Sequence, residues 1–186
     1  MTPEARPAPL FRRVGEQTLH DGHVISLGIA TFEGPDGVEF QRDVIHHPGA
    51  VSVVPIVGDD VVLVRQFRAA LDAELLEIPA GKRDVPGEAP ELTAHRELVE
   101  EIGYRAGTLV RLAEFYNSPG FCDEHSYVFL ATDLMAEPSS AQGIEEEHMT
   151  IERVPLDAVL ALIATGELRD AKTIIGLTLA LRHLGR

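Results

Sequence analysis

Glu97, Glu100 and Glu101 lie within one short run, Arg96-Glu97-Leu98-Val99-Glu100-Glu101-Ile102-Gly103. On a helix turning about 100° per residue, with Glu97 as origin, Glu100 falls near about −60° and Glu101 near about +40°. Leu92, His95, Leu98, Val99 and Ile102 take the opposite, apolar arc. Like charges at i and i+4 repel by about 0.2 to 0.5 kcal/mol when exposed, and by more when partly buried. A divalent cation removes that repulsion: hard ions such as Mg²⁺ take carboxylate oxygens at about 2.0 to 2.1 Å and leave positions for substrate phosphates. Arg96, four residues ahead of Glu100, can orient that carboxylate from the flank. A Glu-rich helix face can also be merely solvated. Here the helix follows a Glu77-Ile78-Pro79-Ala80-Gly81 turn and a Gly-punctuated loop, Gly81 to Glu88, and the joint pattern favours metal chemistry.

The elements that must position these carboxylates are legible on both sides. Glu88 to Ile102 reads as a helix, with Pro90 in its first turn and Gly103 as its stop. Ahead of it, Val24–Phe32 and Val38–Ile45 flank the turn Gly34-Pro35-Asp36-Gly37 and read as a hairpin. Ala50–Val57 and Val61–Phe67, joined by Gly58-Asp59-Asp60, are rich in β-branched residues and read as strands covered on both faces. Leu75–Pro79 is a short apolar run. After the helix, Leu109–Phe115 and Ser126–Ala131 are strand candidates, Ala136–Glu147 a long loop, and Leu156–Thr165 and Ala171–His183 amphipathic helices. This order predicts a mixed α/β (α+β) fold, a mixed sheet between helices with a small antiparallel sheet at its N-terminal side.

Composition narrows the partners. Sixteen Lys and Arg against 30 Asp and Glu give a net charge of −14, which argues against nucleic acid or an anionic membrane as the partner. The single Cys122 cannot form an intrachain disulfide, no stretch is apolar enough to span a bilayer, and the proline-rich first ten residues read as disordered. A soluble cytoplasmic protein is expected. Cys122 has no base beside it in sequence, the pair His46-His47 reads as closing a strand more readily than as binding metal, and His95 reads as a packed core residue.

From Glu88 onward the sequence resembles the Nudix box, G-x5-E-x7-R-E-U-x-E-E-x-G-U with U aliphatic. It matches every charged and glycine position, with Tyr104 in place of the final aliphatic residue. Gly81 and Glu88 are separated by six residues, one more than the pattern, and the insertion leaves the register of Glu97, Glu100 and Glu101 untouched. Arg65-Gln66-Phe67-Arg68, Glu77-Ile78-Pro79-Ala80-Gly81 and Ser118-Pro119-Gly120-Phe121 are similar to strings of the ADP-ribose pyrophosphatase subfamily, some of whose actinobacterial members share the extra residue. The resemblance runs from about Thr18 to Leu181.

That resemblance implies a Nudix fold over residues 48–186, with residues 11–47 as dimerisation strands of a homodimer. It implies a metal held by the Ala80 carbonyl, Glu97 and Glu101 with Glu100 assisting: Mg²⁺, Mn²⁺ or Zn²⁺. It also implies a catalytic base from a late loop, where Glu145 is the first candidate and Glu146 and Glu147 its neighbours. The implied reaction splits ADP-ribose into AMP and ribose 5-phosphate. A metal can lower the pKa of bound water and neutralise phosphoryl oxygens. Arg42 and Arg68 are candidate phosphate contacts or else surface cations. Phe40 or Phe121, beside Gly120, could pack on a base or ribose, and Glu77 and Glu124 could accept ribose hydroxyls. Another nucleotide sugar or dinucleotide, such as GDP-mannose or NADH, is the alternative substrate. A non-catalytic ADP-ribose sensor is the alternative class, disfavoured by the intact Arg96, Glu97, Glu100 and Glu101. An NAD oxidoreductase lacks its G-x-G-x-x-G here.

Overall fold

The computed structural model describes residues 10–138 and 148–186, which fold as two compact units. The smaller contains the described residues up to Pro48 together with Ser118–Glu124. In it, β1 (Arg12–Asp21), β2 (Ser26–Glu33) and β3 (Glu39–His46) form an antiparallel sheet in that order. The expected hairpin is the β2–β3 pair. Its turn closes where Gly37, at φ 75°, donates its N–H to the Gly34 carbonyl at 3.0 Å. Phe32 stands opposite Phe40, and their rings stack with centroids 5.7 Å apart. The expected pair gains β1 as a third strand, which is exposed along its whole length and so offers no apolar alternation to read. The segment Ser118–Glu124 runs beside β3: Ile45 N–H donates to the Phe121 carbonyl at 2.7 Å, and Asp123 N–H to the Ile45 carbonyl at 3.1 Å.

The larger unit holds β4 (Ala50–Val57), β5 (Asp60–Arg68), β6 (Ala73–Glu77), β7 (Ala80–Lys82), α1 (Pro90–Ile102), β8 (Tyr104–Tyr116) and β9 (His125–Ala136). It continues with β10 (Thr150–Pro155), a 3₁₀ turn at Leu156–Ala158, α2 (Val159–Thr165) and α3 (Ala171–His183). One mixed sheet runs β10-β5-β4-β9-β8, with β6 added to β5 and β7 to β4; among the described residues only its β4–β9 pair is parallel.

Alternation along the central strands sends side chains to two cores. Val51, Val53, Val62, Val64, Phe129 and Ala131 meet Ala94, Leu98 and Ile102 of α1. Val54, Val61, Leu63, Val128 and Leu130 meet Leu177, Ala180 and Leu181 of α3. Each fully buried aliphatic or aromatic side chain contributes about 1.5 to 3 kcal/mol, so both helices are fixed to the sheet mainly by burial. A Cβ at Gly176 of α3 would stand 3.0 Å from Ile78 Cδ1 and Val128 Cγ2, so the helix lies close against the strands.

The strands β8 and β9 are longer than their apolar cores suggested, because cross-strand pairing continues into polar ends. β10 was not anticipated. It is a mostly exposed edge strand, tied to β5 by Arg65, whose Nε donates to Glu152 Oε1 at 2.6 Å.

Candidate active site

α1 begins at Pro90 and ends where Gly103 enters the left-handed region (φ 67°, ψ 36°), donating its N–H back to the Leu98 and Val99 carbonyls. Its buried stripe is Thr93, Ala94, Glu97, Leu98, Glu101 and Ile102. Glu97 and Glu101 are therefore not on a solvent face: each is only 7% exposed. Conversely, Leu92 is exposed, and His95 is not a packed core residue. It is half-buried and lines a surface cavity of about 310 Å³ with Arg96, Val99, Glu100, Arg105 and Glu137. The reason is what covers the helix. β7 and the turn before it lie over the carboxylate side, which a helical wheel drawn from hydropathy alone cannot register.

Arg96 joins this helix to the loop ahead of it. Its Nη1 donates to Glu97 Oε1 at 2.7 Å and to Glu100 Oε2 at 3.0 Å, and its Nη2 to the Lys82 carbonyl and Glu88 Oε2, both at 3.4 Å. Asp84 lies 3.9 Å away. Burial disfavours the guanidinium charge, but Glu97, Glu88 and Glu100 outweigh it and hold Arg96 firmly protonated. Glu88 is itself fixed by Thr93 Oγ1, which donates to it at 2.8 Å.

β7 brings Ala80 and Gly81 against α1. Ala80 N–H donates to Glu101 Oε2 at 3.0 Å. A Cβ on Gly81 would overlap the Glu97 carboxylate, so only glycine allows this approach. Two buried carboxylates and a short backbone segment form an all-oxygen donor set suited to a hard divalent ion. Among the described residues, no three His, Cys, Asp or Glu side chains converge as a ready-made cage. Backbone and substrate oxygens would complete the coordination.

A second cluster stands on the same unit. Glu77 is fully buried; Arg68 Nε and Nη2 donate to its two oxygens at 2.7 and 2.6 Å, and Lys172 Nζ also reaches it. Hydrogen bonding to Glu77 raises the Arg68 pKa against the cost of burial. Asp170 caps α3 by accepting Thr173 N–H at 2.9 Å and Thr173 Oγ1–H at 2.6 Å. Burial pushes the Asp170 carboxyl up, but Lys172 and the Thr173 donors bring it below its ordinary value. Sequence reasoning found the α3 helix and missed Asp170, Lys172 and Thr173; the signal was Asp170 standing three residues ahead of Thr173 at the helix start.

Arg42, Gly120, Phe121 and Glu124 belong to the smaller unit. Arg42 Nη1 donates to the Gln41 carbonyl at 2.7 Å, and its guanidinium stands 4.7 Å from the centre of the Phe40 ring. Phe121 is 54% exposed on the Ser118–Glu124 segment with Gly120, and Glu124 N–H donates to Cys122 Sγ at 3.4 Å. His46 bridges carboxylates: Nδ1 is 2.5 Å from Asp123 Oδ2 and Nε2 is 2.7 Å from Glu16 Oε1. Glu145, Glu146 and Glu147 lie outside the described residues.

With this geometry in hand, likeness to known proteins becomes informative. The NUDIX domain family matches residues 46–175. An ADP-ribose pyrophosphatase of Bacillus subtilis (strain 168) is 39% identical over 163 residues, covering 87% of this chain and 88% of that protein. An ADP-ribose pyrophosphatase of Mycobacterium tuberculosis (strain ATCC 25618 / H37Rv) is 35% identical over 167 residues, covering 89% and 81%. A crystal structure of an ADP compounds hydrolase superposes with a TM-score of 0.82 at 25% identity, covering 98% of this chain and 100% of that one.

The chain therefore belongs to the Nudix family. Within it, this protein is a Nudix pyrophosphohydrolase, an enzyme class that generally uses divalent metal ions to hydrolyse nucleoside diphosphate derivatives.

Proposed function

We propose that this enzyme hydrolyses the pyrophosphate bond of ADP-ribose to AMP and ribose 5-phosphate with Mg²⁺ or Mn²⁺ bound by Glu97, Glu101 and the Ala80 carbonyl. The observation that carries the metal assignment is the buried Glu97–Glu101 pair with Gly81 and Ala80 closed against it. Two carboxylates one helical turn apart beside a backbone carbonyl are the hard oxygen donors that a divalent ion takes. ADP-ribose is supported by the relatives that carry that activity in their names and by the length over which they match.

When bound, the ion would activate water and neutralise charge on the phosphoryl oxygens. The chain's own residues supply the rest. Arg96 holds Glu97 and Glu100 in place and ties them to the Lys82 carbonyl, so the face is ordered before substrate arrives. Arg68, held by Glu77 yet 39% exposed along its side chain, offers a fixed cation to a phosphate. Glu77 acts through Arg68, since it is too buried to meet a ribose directly.

Glu145, or its neighbour Glu146, is the proposed proton acceptor for the attacking water. Arg42, Gly120, Phe121 and Glu124 are the proposed contacts to the nucleoside side of the substrate. The homodimer is part of this reading, supported by Leu10, Phe11, Val14, Leu19, Val24 and Val38, which the smaller unit leaves exposed. No helix among the described residues is long and apolar enough to cross a membrane.

The test is turnover of ADP-ribose, GDP-mannose, NADH and dinucleoside polyphosphates with Mg²⁺ or Mn²⁺, with products separated by chromatography. ADP-ribose is expected to give the highest kcat/KM, and Glu101→Gln to reduce it by about 10² to 10³-fold. Preference for GDP-mannose would transfer the substrate assignment. Binding of ADP-ribose without turnover of any compound would make the protein a sensor.

A further inference from the structure

The four residues from Glu77 to Ala80 are each tied to a different neighbour. The Glu77 carboxylate meets Arg68 of β5 and Lys172 of α3. Ile78 N–H donates to Thr173 Oγ1 at 3.0 Å, the Pro79 carbonyl accepts Val53 N–H at 2.9 Å, and Ala80 N–H donates to Glu101 at 3.0 Å. Thr173 is fully buried. Its hydroxyl proton goes to Asp170 Oδ2 at 2.6 Å, so its lone pairs are left to accept from Ile78. Lys172 Nζ, 3.0 Å from the same Asp170 oxygen, helps to keep that carboxylate ionised, which fixes the direction of both hydrogen bonds.

We propose that Thr173, oriented by Asp170, is a positioning residue for the metal site: it sets the Ile78 backbone and thereby Ala80 and the Glu101 carboxylate bonded to Ala80. Pro79 between them has its φ locked, which leaves one soft backbone torsion fewer to absorb a shift at Ile78 before it reaches Ala80. α3 belongs to the core on the opposite face of the sheet from α1. A helix that supplies no ligand thus controls the ligand geometry through one hydroxyl. This inference rests on Ala80, Glu97 and Glu101 being the metal ligands.

The experiment measures Mn²⁺ binding to the full chain without substrate, by the electron paramagnetic resonance signal of free Mn²⁺, alongside thermal melting without metal. Thr173→Val, which keeps the shape and loses the hydroxyl, is expected to weaken Mn²⁺ binding about tenfold. Thr173→Ser is expected to stay within about twofold of the parent, because the hydroxyl returns. Glu101→Gln is expected to lose most binding. Parent-like affinity in Thr173→Val, with binding lost in Glu101→Gln, would overturn the positioning role and leave the metal site standing. A lower Tm with unchanged affinity would overturn it likewise, as a structural role only. Parent-like binding in Glu101→Gln would overturn the metal assignment, and the positioning role with it. Should Thr173→Val fail to fold, Asp170→Asn keeps a capping group and removes the charge; about threefold weaker binding supports the proposal and unchanged binding overturns it.

Discussion

Glu77 in the larger unit and His46 in the smaller one are mirror images in charge. Glu77 is a carboxylate between two cations, Arg68 and Lys172; His46 is an imidazole between two carboxylates, Asp123 and Glu16. Each ties together segments distant in sequence, yet they are built for different conditions. Glu77 is fully buried, and its hydrogen bonds raise the pKa of the Arg68 guanidinium, which stays charged, so the anchor is permanent. His46 is partly exposed, and a neutral imidazole has only one N–H to give to its two acceptors, so the bridge is complete only when the ring is protonated. The segment held permanently leads to Ala80. The segment held by a titratable group carries Gly120 and Phe121.

The sharpest way to break this contrast is to remove its buried member. Glu77→Ala leaves Arg68 and Lys172 without their shared carboxylate, and is expected to cost about 3 to 5 kcal/mol in urea denaturation. A cost below about 1 kcal/mol would show that the cluster is hydrated enough to relax, contrary to a permanent anchor.

The next largest effect concerns two glycines that hold the same kind of contact. A Cβ on Gly81 would overlap the Glu97 carboxylate, and a Cβ on Gly28 would meet the Glu16 carboxylate. Glu97 is confined by β7 and Arg96, whereas the Glu16 side chain is partly exposed and can swing aside. Gly81→Ala is therefore expected to lower kcat about 10²-fold, since a displacement near 1 Å at a catalytic group has that order of effect. Gly28→Ala is expected to change kcat by less than about threefold. Equal losses in steady-state kinetics would show that both carboxylates are equally constrained.

The same contrast governs what could be read before the fold was known. The β4–β5 hairpin, the end of α1 at Gly103 and the β-branched runs of strands covered on both faces were legible because each is encoded locally, in composition and turn chemistry. The carboxylate run was legible for the same reason. Its burial was not, since β7 covers it from 16 residues away in the Gly81–Glu97 contact and nothing in the helix announces that. Still less visible were the partners of Glu77 and His46. Lys172 lies 95 residues from Glu77, and Asp123 lies 77 residues from His46. Charge pairs of that separation have no sequence period, so only topology joins them. β1 and β10 escaped because exposed polar strands lack apolar alternation, and their pairing is set by the neighbour's edge.

The smallest effect is the most diagnostic, because of the two anchors it is the His46 bridge that should switch near neutral pH. Hydrogen bonds to Asp123 and then to Glu16 raise the His46 pKa above its ordinary 6.5. Its contribution to stability is then fully present below about 6.5, the unfolded value, and is lost as pH rises through the folded value. Asp123 has the opposite sign: burial alone would raise its pKa, but His46 and the His47 N–H lower it, so its contribution is lost only as pH falls through that depressed value. The bridge is thus complete between the two folded pKa values. His46→Gln, which cannot carry the charge, is expected to melt below the parent at pH 6, with the gap narrowing by pH 8.5. The imidazole titration followed by NMR should show a midpoint above 6.5 that falls toward it in Asp123→Asn. A Tm gap that stays constant across this range would mean that His46 acts by packing and not by charge. The Ser118–Glu124 segment would then be held as permanently as the turn at Ala80.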